Sequence, residues 1–497
     1  MARRTFLQTA LGGGLAVLAS GRLLGAAAAE TAQGAGAGPE LVDHLSRQLR
    51  LFPNKAEAWG GDAVPNGRTG VILCGDSGRV AWFFIAPEAG EYEVYLSYAA
   101  PEPGVKLALS TGGRGPWIEG LGVTAGLSVP APESKYHNFE RVRLGSRIHF
   151  DRGLNPLEAR IVAPNPALKV AIRCVELVPG SLSGELSAER GRAEAARANT
   201  DWFVRAGYGV KFTWADEALP ERGPSKPFPE IVDAFDVGAF ADLMEEMGAG
   251  YVLFQLHRTH NQCPAPIGAW ERAYPGKTSQ RDLIGEIADR LRQKAIPLLL
   301  YVNSPILGRL QKKGDSGRFE VTLSEEGYVR IHREVLTEVG LRYGRKLAGY
   351  WFDAWNSSIE AYPELPLEKI YGYSKAGNPD RITAFNFWMY PVPTVWQDYW
   401  AGELNALPLP FRGRVIDRGP GKGFQAHGMV SIDPSWYHKT PGPYGPPQFS
   451  ADALIAYVKA NLANQAVTTI NVGVYQDGTV SEAHRAMMRQ LRAAVRG

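Results

Sequence analysis

The chain has 497 residues, of which 45% are hydrophobic, 10% aromatic and 21% charged, which excludes a disordered chain, a collagen-like repeat and a disulfide-dense miniprotein. Lys and Arg number 54 against 51 Asp and Glu, a net charge of +3, and this leaves no electrostatic footprint for nucleic acid or an anionic membrane. The length suits a small domain joined to a barrel of about 250 residues or more, and 12 Trp with 20 Tyr supply flat rings of the kind that stack on sugars or fill large cores.

Residues 1–29 read as an export signal. Arg3-Arg4-Thr5-Phe6-Leu7 precedes an apolar run from Ala10 to Leu24, and Ala26 to Ala29 offer the small residues of a cleavage site. The paired arginines point to the twin-arginine type, with an ordinary secretory signal as the alternative. The run is too short and glycine-rich for a membrane span. Its removal takes away Arg3, Arg4 and Arg22 and no acid, leaving the remainder neutral. Residues 30–54 read as a flexible leader, Ala/Gly-rich over 30–40.

From 55 to 182 the sequence predicts short strands, at Val80–Ile85, Tyr92–Tyr98, Arg147–Phe150 and Val170–Leu177, separated by Gly/Pro turns such as Pro87-Glu88-Ala89-Gly90. That pattern is the signature of an antiparallel β-sandwich. Cys74 and Cys174 either pair within this region or stay buried thiols, and with Cys263 they are too few for a disulfide framework.

A charged, Ala-rich helix over 183–200 links to residues 201–497, where strands and helices alternate. Strands are predicted at Tyr208–Phe212, Tyr251–Leu256, Ile296–Val302, Leu347–Phe352, Ile382–Phe387, Gln425–Ser431 and Thr468–Val472. Asp236 caps a helix carrying Phe240, Leu243, Met244 and Met247 on one face, which Gly248 ends; further helices cover 281–295, 328–343 and 451–464. The alternation predicts an α/β fold of the TIM-barrel kind. A doubly wound sheet is the rival, but no Gly-x-Gly-x-x-Gly turn follows the first strand.

Active sites of parallel barrels sit at the carboxyl ends of the strands. The fourth strand ends Tyr350-Trp351-Phe352-Asp353-Ala354-Trp355, an acid among aromatics, where ionisation is costly and a carboxylate kept there has a task or caps the next helix. No Gly-x-Ser-x-Gly elbow, phosphate loop or His-Glu-x-x-His motif is present. His257 and His260 lack an obvious third ligand, so no metal and no cofactor is expected.

Residues 202–497 resemble the catalytic domain of glycoside hydrolase family 29, the retaining α-L-fucosidases. The resemblance runs through Trp202-Phe203 and Tyr208-Gly209-Val210, Phe235-Asp236 to Gly248–Val252, Lys277–Leu283, Trp351-Phe352-Asp353, and Ile470–Gly473 with Gln476–Thr479. It implies double displacement with Asp353 as nucleophile. Glu403 is the first choice for the acid/base and Asp398 the second, on the likeness of Gln397–Glu403 to the family's acidic segment; Asp417 and Asp433 are further loop acids. Trp214, His257, His260, Asn303, Trp355 and Trp436 are expected to contact substrate, with Trp388 and Asn386 as further candidates.

Three departures bear on the sugar. Thr213-Trp214 stands where fucosidases carry His-Trp, His257–Gln262 replaces their Lys-His-His-Asp run, and Ala426-His427 replaces Trp-Glu ahead of Ser435-Trp436. A diverged pocket rejects sugars that leave its polar groups unpaired, so a related glycan or a fucoside in an unusual setting is as good an expectation as plain α-L-fucose. The N-terminal sandwich loosely resembles jelly-roll carbohydrate-binding modules through Gly78–Phe84, Pro87–Tyr92 and Leu154–Arg160. The expected partner is an oligosaccharide or glycoconjugate, with no nucleic acid and no stable membrane anchor; oligomeric state is open. The competing reading is a glycan-binding protein on a barrel that has lost its second carboxylate.

Overall fold

The structure, a computed structural model, describes residues 49–497 apart from 54–55, 57, 61–62, 67–70, 75–77, 101, 125–139, 163–169, 313–318, 363–364, 387–393, 405–406, 408–409 and 417–420. The expected signal, most of the leader, and the candidates Trp388 and Asp417 lie outside the described residues.

Alternation of side chains builds the N-terminal region. In Arg79–Ala86, Val80, Trp82, Phe84 and Ala86 are buried while Phe83 and Ile85 face outward, as a period of two requires of a strand with one buried face. This strand lies in a five-stranded antiparallel sheet, in the order Ala58–Gly60, Arg79–Ala86, Gly153–Val162, Lys106–Thr111, Arg114–Gly120. A second antiparallel sheet runs Val64–Asn66, Val71–Cys74, Val170–Pro179, Gly90–Ala99, Glu140–Phe150, with Leu49–Leu51 also paired to Val170–Pro179. Val80, Trp82 and Phe84 of one sheet and Tyr92, Val94 and Leu96 of the other belong to a single apolar cluster. Cys174 is a free, buried thiol, and burial raises its pKa far above the ordinary thiol value.

Helix Ser183–Ala196 leads to the second region. Its Glu189 accepts a hydrogen bond from Trp396 Nε1 at 2.9 Å, and the Ala196 carbonyl accepts one from the Tyr371 hydroxyl at 3.0 Å. Eight parallel strands follow, numbered here β1 Tyr208–Lys211, β2 Val252–Gln255, β3 Leu298–Asn303, β4 Leu347–Asp353, β5 Ile382–Phe385, β6 Glu403–Leu404, β7 His427–Ser431 and β8 Val467–Asn471. Each pairs with its neighbour in number except β5 with β6, and β8 pairs with β1, the order of a TIM-like barrel. In the segment leading to β6, the backbone of Asp398 bridges β5 and the residues before β7: its N–H donates to Thr383 O at 2.9 Å, and its carbonyl accepts from Gln425 N at 3.2 Å.

Caps and periodicity explain the helices. Asp236 accepts from Ala239 N at 2.9 Å to start Val237–Glu246, whose Phe240, Leu243 and Met244 are buried. Asp282 does the same for Leu283–Gln293 through Gly285 N, and Ser324 for Glu325–Tyr343 through Gly327 N; in each case a side-chain oxygen satisfies an orphan amide. Two of the elements that escape the sequence reading are instructive: β6 is two residues long and has no apolar run to mark it, and the helix Glu482–Arg496 carries four arginines and a glutamate around its buried Met487, Met488 and Leu491.

Candidate active site at the carboxyl ends of the barrel strands

Strand parity decides what faces the barrel interior. Leu253, Leu299, Tyr301, Trp351, Ile382, Ala384, Met429 and Val467 form an interior cluster, whereas Val252, Phe254, Leu298, Leu300, Phe352 and Ile470 pack in the outer layer with the helices. Continuing each inward series toward the strand ends brings Gln255, Asn303, Asp353, Asn386, Ser431 and Asn471 to the carboxyl end, together with Lys211 of β1 and Glu403 of β6. Register agrees: Asn303 pairs with Asp353, and Lys211 with Asn471, which pairs with Ser431. In the lower layers Gly209 leaves room for the Tyr251 ring, with which any side chain at that position would collide.

Asp353 is held by three donors. The Tyr301 hydroxyl donates to its Oδ2, and Asn386 Nδ2 and the Ala354 amide donate to Oδ1 at 2.9 and 2.7 Å. Ala354 takes the left-handed conformation, φ 59°, a strain of roughly 1–2 kcal/mol for a residue with a Cβ, and that turn brings its amide back onto the carboxylate. Asn386 is fixed in turn by its own backbone, whose N–H donates to Phe352 O at 2.7 Å and whose carbonyl accepts from Trp355 N at 3.0 Å.

The same Asn386 Nδ2 donates to Glu403 Oε2 at 2.6 Å. One amide nitrogen therefore bridges two carboxylates, and the 2.9 and 2.6 Å bonds cap the separation of their oxygens at their sum, about 5.5 Å. Asp353 is partly open to solvent, while Glu403 is buried.

Beside the pair stands Lys211, 3% exposed. Its ammonium donates to Thr213 Oγ1 at 2.6 Å and Asn471 Oδ1 at 3.0 Å, and lies 5.4 Å from the Tyr301 ring centre and 5.5 Å from that of Trp436. Burial, then the charge of Arg258, lowers its pKa to about 7 against the opposing pull of Asp353 and Glu403. Burial and the Asp353 charge raise the Tyr301 phenol well above its ordinary value, so it acts as a donor. Arg258 itself pairs with Glu217 at 2.7 Å and lies 3.7 Å from the Tyr437 ring centre. The sequence reading passed over Lys211, Tyr301 and Gln255; a lysine inside Tyr208-Gly209-Val210-Lys211-Phe212, a run otherwise apolar, was the available signal.

Of the sequence candidates, the structure brings together Asp353, Glu403, Asn386, Asn303 and Trp436. Asn303 donates to the Tyr301 hydroxyl at 3.4 Å and caps helix Ser304–Leu307. Others sit elsewhere. Asp398 accepts bonds from Ala198 N, the Tyr371 hydroxyl, Lys375 Nζ and Thr383 N, each at 2.7 Å, so its lone pairs are spent. Thr383 pairs with Tyr350, three residues before Asp353, which puts Asp398 about 10 Å toward the amino ends. Asp433 is likewise committed, accepting from Gly473 N at 2.8 Å and pairing with buried His484 at 2.6 Å.

Trp214 and Trp355 are core residues rather than sugar platforms. Trp214 is 1% exposed, packs on Phe235 and Phe254, and donates to Gln476 O at 3.0 Å; its parity points it outward, toward the helices. Trp355 has no exposed surface and meets Phe385 edge-on at 4.9 Å. His257 is fully buried, edge-on to Trp270 at 4.6 Å, and accepts from Asn303 N at 3.2 Å; burial lowers its pKa to about 3, so it is a neutral packing residue. His260 is exposed and bonds Asp216 at 2.6 Å on the rim, apart from the carboxylate pair. Among the described residues no group of three His, Cys, Asp or Glu is placed to hold a metal ion, and no helix is long and apolar enough to cross a membrane.

No protein-family model matches the chain, and no curated protein matches it by sequence. Similar solved structures include an α-L-fucosidase from Lactobacillus casei in complex with α-L-fucose product, at 16% identity over 59% of this chain and 98% of that one, TM-score 0.41. An endo-fucoidan hydrolase of glycoside hydrolase family 107 aligns at 14% identity over 59% of this chain and 92% of that one, TM-score 0.44. A bacterial fucosidase bound to a monovalent iminocyclitol inhibitor aligns at 16% identity over 58% and 72%, TM-score 0.43. The likeness is distant, and the functional reading rests on the side-chain geometry.

Proposed function

We propose that the protein is a retaining glycoside hydrolase that removes a terminal sugar from a glycan, with Asp353 as nucleophile and Glu403 as acid/base. The observation that carries this reading is the pair of carboxylates bridged by Asn386 and no more than about 5.5 Å apart. Retaining glycosidases space their carboxyl groups by about 5–5.5 Å, while inverting enzymes need room for a water between them.

The chemistry follows from the contacts. A carboxylate has about four lone-pair sites, and the three bonds to Asp353 leave one on Oδ2 for attack on the anomeric carbon. As the bond to the leaving oxygen breaks, the Glu403 carboxyl protonates that oxygen, giving a glycosyl ester on Asp353 and a free alcohol. Glu403, now a carboxylate, takes a proton from water, whose oxygen displaces Asp353 and restores both groups. Asn386 keeps the two acids in register through both steps, and Tyr301 orients the nucleophile.

The sequence resemblance to α-L-fucosidases makes an α-L-fucoside the first substrate to try, with related sugars beside it because of the altered strand ends at Thr213 and His257. On the same basis the N-terminal region is read as an accessory β-sandwich of the carbohydrate-binding kind, and the chain as exported through the Arg3-Arg4 signal to the periplasm or beyond. The binding-protein reading requires that the second carboxylate be missing, and the bond of Glu403 to the amide that also holds Asp353 favours the enzyme. The test is nitrophenol release from nitrophenyl α-L-fucoside, α-L-galactoside and other common glycosides by the wild type and Asp353→Asn. Release by the wild type alone supports the assignment and names the sugar; equal release by both proteins removes Asp353 from the mechanism.

A further inference from the structure

Gln255 ends β2 and is 1% exposed, yet its Oε1 has no hydrogen-bond partner. Its parity is that of Leu253, an interior residue, so it faces the barrel interior and not the helices. In register it stands opposite Tyr301 of β3, whose hydroxyl holds the nucleophile. A buried carbonyl left without a donor costs roughly 1–3 kcal/mol, and a group that bears such a cost at the end of a barrel strand is placed for a ligand.

Lys211 reaches the same corner from the other side. It projects from β1, and its ammonium is 5.4 Å from the centre of the Tyr301 ring on β3. β2 lies between β1 and β3, so the lysine crosses the inner face of β2, where Leu253 and Gln255 are the inward residues. Thr213 and Asn471 take two of its three directions, leaving the third for another group. A sugar hydroxyl accepts one hydrogen bond and donates another. It satisfies the free direction of Lys211 and the open carbonyl of Gln255 at once.

We propose that Gln255 and Lys211 together read one ring hydroxyl of the sugar held against Asp353, making the ligand class a glycoside whose hydroxyl at that position is free and unsubstituted. The inference rests on the glycosidase reading of the same site. Burial brings the Lys211 amine to a pKa of about 7, which suits a group that shares a hydroxyl proton more than one that anchors a full negative charge.

The test is isothermal titration calorimetry of the whole chain with L-fucose, L-galactose, D-galactose, L-arabinose and D-xylose, followed by the monodeoxy analogues of the sugar bound best. Gln255→Met, which removes the acceptor, is expected to weaken that sugar at least about 10-fold. Gln255→Glu, which keeps an acceptor oxygen, stays within about 3-fold, and one deoxy analogue binds wild type and Gln255→Met equally. Should Gln255→Met fail to fold, Lys211→Met replaces it, and the same deoxy analogue is expected to be the one insensitive to the change. Unchanged affinity in the methionine variants, with nitrophenol release intact in the wild type, overturns the proposal and leaves the glycosidase reading standing. Binding of none of these sugars by the wild type, together with silence in the nitrophenyl assay, overturns both.

Discussion

Two buried carboxylates at opposite ends of the barrel show how one chemical group takes two kinds of surroundings. Asp398 accepts four bonds at 2.7 Å from Ala198, Tyr371, Lys375 and Thr383, and its backbone bridges β5 and the residues before β7. Glu403, five residues further on at the other end of the same segment, shares one amide with Asp353. The first acid is saturated by donors from three stretches of chain and holds the ring together. The second sits next to another carboxylate, an arrangement that costs stability and is retained where chemistry needs it. Burial alone does not tell the two apart; the carboxylate that shares an amide with Glu403 does.

The sharpest way to break this comparison is to exchange the consequences. Asp353→Asn is expected to lower turnover by at least about 10³-fold with little change in thermal stability, whereas Asp398→Asn strands the buried Lys375 and costs about 3–5 kcal/mol while activity per folded molecule persists. Chemical denaturation beside nitrophenol release separates them, and a large stability loss in the first or a large activity loss in the second reverses the assignment of ends. Asn386→Asp puts a third carboxylate between the pair. Activity is expected to fall about 10²-fold and the pH profile to shift upward, since each acid then ionises against two others.

The pH dependence of stability sharpens the same contrast. Burial lowers the pKa of His257 to about 3 and of His332 and His427 to about 4, so below about 6.5 the unfolded chain takes protons that the folded chain refuses. Stability therefore falls as pH drops from about 6.5 toward 4. Lys211 acts in the opposite range: its folded value of about 7 lies below the unfolded one of about 10.4, so its contribution grows as pH rises between them. Thermal melts from pH 4 to 10 record both slopes, and Lys211→Met is expected to flatten the alkaline one alone. The smallest effect belongs to Ala354→Gly. It relieves the left-handed strain but loosens the chain in the unfolded state, moving stability by less than about 1 kcal/mol, and it loosens the turn that holds Asp353, so turnover is expected to drop a few-fold.

The parallel strands and their helices were legible because burial on both faces of a strand demands long apolar runs, and because Asp236 and Asp282 stand at cap positions where a side-chain oxygen has a defined partner. Asp353 was legible for the same reason: Tyr350-Trp351-Phe352-Asp353 puts an ionised group at the end of an apolar strand. β6 was not, since its pairing is two residues long and is supported by Asp398, whose value lies in contacts 15 to 200 residues away. Trp214 and Trp355 misled, because a tryptophan near a strand end is equally suited to a sugar or to the layer between sheet and helices, and only parity in the folded barrel assigns it.

Local chemistry thus determined which segments are strands and helices and that an acid ends the fourth strand, since those follow from period and capping within a few residues. The hydrogen bond that sets Glu403, already the first candidate in the sequence, beside Asp353 while Asp398 turns to other donors, the bridging position of Asn386 and the lowered pKa of Lys211 belong to the tertiary structure. Each depends on which strands the barrel makes neighbours and on how much water it excludes, and neither is written in any single segment.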